Sequence, residues 1–125
     1  TNYVYAPKLD YNDPKLFSKL LEKLQTFEPD LIVGSSMGGY FAYILSSHLG
    51  VPIIAFNPAL HSRSFDPVVT LAPHLLPHGI VICGENDNVI DALKTSELLN
   101  ENKDIKFIME KHAHRTPFSI FSKYV

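Results

Sequence analysis

The sequence predicts an α/β fold, with about five parallel strands in a sheet and helices packed on it, as a single domain over residues 1–125. Three observations carry this. Short apolar runs alternate with longer helical patterns, the order of a parallel sheet with crossover helices. Leu31-Ile32-Val33 and Ile80-Val81-Ile82 are continuously apolar, as strands covered on both faces are. The composition, 46% hydrophobic and 19% charged over 125 residues, is that of one globular domain.

Tyr3–Ala6 is the first strand candidate. Asp13 is placed to cap the first helix and Pro14 to open it. Leu16, Phe17, Leu20, Leu21, Leu24 and Phe27 then share one face, with Lys19, Glu22, Lys23 and Gln25 opposite. Pro29 helps to stop that helix, and Leu31–Gly34 is the second strand. A helix from Met37 to Leu49 is apolar nearly all round, so it should be the most buried, and Gly50 ends it. Pro52–Phe56 is the third strand. Residues 57–78 break the rhythm with four prolines, three histidines and Arg63; too long for an ordinary connection, they read as a lid-like loop insertion. Gly79–Cys83 is the fourth strand. A helix over Val89–Asn100 places Ile90, Leu93, Leu98 and Leu99 inward. Ile105–Met109 is the fifth strand, and a short helix closes the chain near Phe118–Tyr124.

Eleven Lys plus Arg against thirteen Asp plus Glu give a net charge of −2, and no basic run tracks a phosphate backbone. Nucleic acid and an anionic membrane surface are therefore excluded as expected partners. No apolar run approaches the ~18 residues of a membrane span. The single cysteine, Cys83, forms no internal disulfide and fits a reducing, cytoplasmic compartment.

The chemistry concentrates at Gly34-Ser35-Ser36-Met37-Gly38, a G-x-S-x-G pattern between an apolar strand and an apolar helix. A chain that turns sharply from strand into helix exposes the central residue, and small residues two before and two after it prevent clashes. Ser36 is thus the candidate nucleophile. The Met37 N–H, at the helix start, is the candidate oxyanion donor. An anion-binding loop is the other reading of Gly34–Gly39, but the Lys of a P-loop and the spacing of a dinucleotide fingerprint are both missing.

A serine nucleophile needs a base and an orienting acid, which follow it in the order acid, then His. Asp87 lies just after the Gly79–Cys83 strand, with Glu85 as the second candidate. Asn88 can cap the next helix and leave Asp87 free to face the site, because one aspartate is not expected to do both. The base is His114 or His112, both just after the last strand. His112 and His114 are also spaced as a metal pair, but no Cys/His cluster completes a site, so no metal is expected. His48, His61, His74 and His78 read as surface histidines, and Cys83 as a small core residue.

These residues resemble the α/β-hydrolase superfamily, and most of all the small bacterial YqiA-like esterases. The matching stretches are Val33 to Tyr40, Ile54-Ala55-Phe56-Asn57-Pro58-Ala59, and Cys83 to Ile90. Glu110-Lys111-His112-Ala113-His114 is similar to that family's Glu-Gly-Gly-Asn-His, which sets its histidine on His114. The resemblance implies a three-layer hydrolase-like sheet and hydrolysis of a small-molecule ester or thioester through an acyl-enzyme on Ser36. It implies no cofactor, with Asn57 and His61 as the substrate-binding candidates. The chain departs from the family at its N-terminus, where a strand ending in His-Gly and the following helix have no counterpart. That element carries the second oxyanion donor and covers one sheet face. Crossover helices of one hand all lie on the other face. The terminal helix alone is left for the bare side, so an apolar interface with a second copy or with an upstream segment is expected there.

Overall fold

The computed structural model describes residues 3–71 and 76–125. Eight elements follow in chain order: α1 (Leu16–Phe27), β1 (Ile32–Ser35), α2 (Met37–Leu49), β2 (Ile53–Phe56), β3 (Gly79–Gly84), α3 (Ala92–Leu99), β4 (Ile105–Glu110) and α4 (Phe118–Tyr124). The four strands form one parallel sheet in the order β1-β2-β3-β4. All C-terminal strand ends therefore point to one edge. His74 and its neighbours lie outside the described residues.

The expected fifth strand at Tyr3–Ala6 does not form. A strand exists through its ladder, and the sheet stops at β1. Tyr3 and Val4 stay exposed, at 87% and 81%, while Tyr5 lies against Phe27 at the end of α1. The α1 start also differs from the expectation. Asp13 Oδ1 accepts from the Lys15 N–H at 2.9 Å and the Asp13 carbonyl from the Leu16 N–H at 3.0 Å, so the cap holds a tight turn just before the helix.

One face of the sheet packs Ile53, Ala55, Val81, Cys83 and Ile105 against Ala42 of α2 and Ala92 and Leu99 of α3. Behind α2, its Phe41, Ile44 and Leu45 meet Phe17, Leu20 and Leu24 of α1. Two-sided contact explains why α2 is apolar nearly all round. The opposite face is less bare than its sequence suggests. Ile54, Phe56 and Ile82 are sealed by Ile120, Phe121 and Tyr124 of α4. Burying each such side chain is worth about 1.5–3 kcal/mol, enough to hold a seven-residue helix too short to form alone. Exposure persists at the edge strand, where Val33 is 39% exposed and the preceding Leu31 41%.

The stretch after β2 begins as core. Asn57, Pro58, Ala59 and Leu60 are all buried, and the chain reaches the surface only from His61. Its further course lies along the helices: the Arg63 guanidinium stacks 4.1 Å from the Tyr40 ring centre, the His48 ring bonds the Thr70 carbonyl, and Val69 packs on the α1–α2 cluster. The described part of 57–78 holds no helix or strand. Among the described residues, no helix is long and apolar enough to cross a membrane.

Glu110, at the end of β4, ties down α4. Its Oε2 accepts from Lys123 Nζ at 2.8 Å and from the Tyr124 hydroxyl at 2.7 Å. These bonds hold its carboxyl below the ordinary glutamate range, with Lys123 the largest cause. A lowered carboxyl pKa gives stability that is present above the unfolded value and lost as pH falls through the folded one. Glu110→Gln should therefore lose this modest contribution at neutral pH and converge with wild type in acid, flattening the acid side of the stability curve. Thermal unfolding of both proteins between about pH 6 and pH 3 checks this; parallel curves would contradict it.

Candidate active site

β1 runs directly into α2 through Ser36, whose φ of 54° and ψ of −117° lie outside the regions open to ordinary L-residues. This is the strained strand-to-helix turn that exposes a nucleophile. Two glycines make it sterically feasible. A Cβ on Gly34 would strike the Gly38 carbonyl, and one on Gly39 would strike Pro58. The turn is gripped from β2: the Ser36 N–H donates to the Phe56 carbonyl at 3.0 Å, and the Ser36 carbonyl accepts from Ala59 at 2.9 Å and Tyr40 at 3.1 Å. Met37 is the first residue of α2, so its N–H has no partner within the helix and points from the positive end of the helix dipole.

Ser36 Oγ lies 3.0 Å from His114 Nε2, and His114 Nδ1 lies 2.8 Å from Asp87 Oδ2. The chemistry of the partners assigns the protons. A carboxylate only accepts, so Nδ1 carries the hydrogen and donates to Asp87; Nε2 is then the acceptor for the Ser36 hydroxyl. The Asp87 side chain is fully buried, and that of His114 is 26% exposed.

Asp87 faces the site and also closes a turn of its own, although it does not cap the next helix. Oδ1 accepts from the N–H groups of Val89 and Ile90 at 2.8 and 2.9 Å, which leaves Oδ2 aimed at His114. Asn88 is not the cap of α3, which starts later than expected. Asp91 caps it, accepting from Leu93 and Lys94. Glu85 is exposed.

The two candidate histidines part company. His112 is 5% exposed, and its Nδ1 donates to the Ala113 carbonyl at 2.7 Å. Among the described residues its buried Nε2 has no partner, and the ring stands outside the Ser36–His114–Asp87 chain. Among the described residues, no three His, Cys, Asp or Glu side chains gather as metal ligands. Cys83 is buried in β3, and burial pushes its thiol up to about 12, too high for a thiolate nucleophile.

Of the two substrate-contact candidates, Asn57 lies otherwise than expected. Asn57 is completely buried: Oδ1 accepts from the Gly84 N–H at 2.7 Å, and Nδ2 donates to the His114 carbonyl at 2.8 Å and Thr116 Oγ1 at 3.2 Å. His61 Nε2 bonds the Asp91 carbonyl at 3.2 Å, beside the α3 start. A hollow of about 360 Å³ lined by Glu85, Asp87, Asp91, Ala92, Leu93 and Met109 meets the site only through Asp87.

The sequence pattern of an uncharacterised protein family, UPF0227, matches residues 4–75. No curated protein matches the chain. Three solved structures show the fold. A provisionally named hydrolase of the alpha/beta superfamily from Xanthomonas campestris pv. campestris has 16% identity and a TM-score of 0.65, over 85% of this chain and 59% of that one. An alpha-beta serine hydrolase homologue from Coxiella burnetii has 14% identity and a TM-score of 0.60, over 95% and 56%. A lidless member of the a/b serine hydrolases from Xanthomonas campestris has 18% identity and a TM-score of 0.56, over 87% and 51%. The chain thus spans little more than half the length of these structures, and its fold is that of the α/β-hydrolase superfamily.

Gly84 sets the spacing between the Asp87 and His114 loops. A Cβ there would strike the carbonyl oxygens of His112 and Ala113 and the His112 ring. Gly84→Ala should cost about 1–3 kcal/mol, the usual range for overpacking. Urea unfolding measures it, and a variant as stable as the wild type would mean the loop has slack.

Proposed function

The chain belongs to the UPF0227 family, and on that premise we propose that it is a serine hydrolase cleaving small esters or thioesters through an acyl-enzyme on Ser36. The observation that carries the reading is the hydrogen-bonded chain from Ser36 Oγ through His114 to the buried Asp87. Ser36 Oγ attacks the acyl carbon as its proton passes to His114 Nε2. The Asp87 carboxylate holds the ring in this tautomer and faces the charge that develops on it. The carbonyl oxygen, now an oxyanion, takes the Met37 N–H. The C–O or C–S bond then breaks, and His114 returns the proton to the departing alcohol or thiol. Water, deprotonated by the same nitrogen, repeats the sequence on the acyl-serine and frees the acid. The lone buried thiol of Cys83 supports a cytoplasmic setting.

A second reading is a catalytically weak or inactive hydrolase fold that acts as a binding module. A labelled fluorophosphonate separates the two, because only an activated serine reacts with it. Wild type should label on Ser36 and hydrolyse short acyl esters. Ser36→Ala and His114→Ala should remain folded and lose about 10³-fold or more in rate. Ser35→Ala should stay near wild type, since Ser35 is exposed on the β1 side away from α2. Absence of labelling in folded wild type would leave the binding module.

A further inference from the structure

Asn57 occupies the tip of β2 in a left-handed conformation, φ 44°, completely buried. Its backbone N–H donates to the Ile82 carbonyl at 2.8 Å. Its neighbours hold the nucleophile: Phe56 accepts from the Ser36 N–H, and Ala59 donates to the Ser36 carbonyl. Its side chain holds the other two loops. Oδ1 accepts from Gly84, whose carbonyl accepts from the Asp87 N–H at 3.1 Å. Nδ2 donates to the His114 carbonyl. The hydrogen bonds close a ring that runs Asn57, Gly84, Asp87, His114 and back to Asn57.

We infer that Asn57 is the positioning residue of this site, fixing the His114 ring at bonding distance from Ser36 and Asp87. The inference rests on the hydrolase reading for its catalytic meaning, and its geometry stands without it. The ring needs an amide. The Gly84 N–H requires an acceptor, and the His114 carbonyl requires a donor, in the same buried place. A carboxylate offers two acceptors, and one of them would face a carbonyl oxygen in a dry interior. Thr116 Oγ1, 3.2 Å from Nδ2, takes the second amide proton, so both Nδ2 protons are bonded within the protein.

Two variants test this. Asn57→Asp keeps the shape and the acceptor for Gly84 but removes the donor to His114. Asn57→Ala removes both. The readout is the fluorophosphonate labelling rate of Ser36 per folded molecule, with the folded fraction taken from unfolding curves. A merely structural Asn57 changes the folded fraction and leaves this rate alone. A positioning Asn57 lowers it by about ten- to a hundredfold, the scale expected when a reacting group is misplaced by an ångström. For ester hydrolysis the loss should fall on kcat, with KM near wild type. Labelling per folded molecule within about twofold of wild type in either variant overturns the inference. If wild type itself does not label, the hydrolase reading fails, and the proton NMR signal of the His114 Nδ1–H decides instead. That signal needs no catalysis. Its loss or broadening in the variants supports the positioning role, and its persistence at the wild-type shift overturns it.

Discussion

At Ser36 the backbone has φ 54° and ψ −117°, and the rest of the site depends on how it is held there. Conformations of this kind cost about 1–3 kcal/mol and persist where the surroundings over-determine them. Here the surroundings are β2 and its continuation. Phe56 and Ala59 bond the Ser36 backbone from both sides, and Pro58 packs where Gly39 has no side chain. α2 is thereby pressed close to the sheet, which it can approach because its contact residues Ala42 and Gly39 are small. The burial of Phe41, Ile44 and Leu45 under α1 supplies apolar stabilisation that offsets the strain.

Parallel strands bring the loops together. Each of β1, β2, β3 and β4 delivers its C-terminal end to the same edge, and Ser36, Asn57, Asp87 and His114 follow those four ends in turn. Ligand sites of open α/β sheets lie at this edge for the same reason. The His114 loop is fastened on both sides. Asn57 holds it at His114 and Thr116; Glu110 and α4 hold it at its two ends, through Lys123 and Tyr124.

Two other reactive groups stand close by and are kept out of the chemistry by burial. Cys83 sits on the inner face of β3, where desolvation keeps the thiol protonated. His112 is turned inward against Gly84. Of the two loop histidines, the partly exposed one has its Nε2 free to meet a hydroxyl, and its partner on the far nitrogen is a carboxylate rather than a backbone carbonyl.

The sequence by itself determined what local periodicity and residue type determine. The apolar runs marked β1 to β4, the helical spacing marked α1 and α2, and the small residues around Ser36 marked the strained turn. These patterns are short-range, and each is physically complete within one or two elements. The tertiary structure alone decided the rest. Tyr3–Ala6 has strand composition, yet a ladder requires a neighbour, and β1 ends the sheet. His112 and His114 are equivalent in sequence terms; what separates them is which ring packs against Gly84. Asp87 serves its own turn and His114 together because its two oxygens point to different partners 27 residues apart in one case and two or three in the other. Asn57 reads in the sequence as a substrate contact and lies in the structure as a core residue. Its three side-chain bonds reach 27, 57 and 59 residues along the chain, and no local pattern encodes a destination that distant.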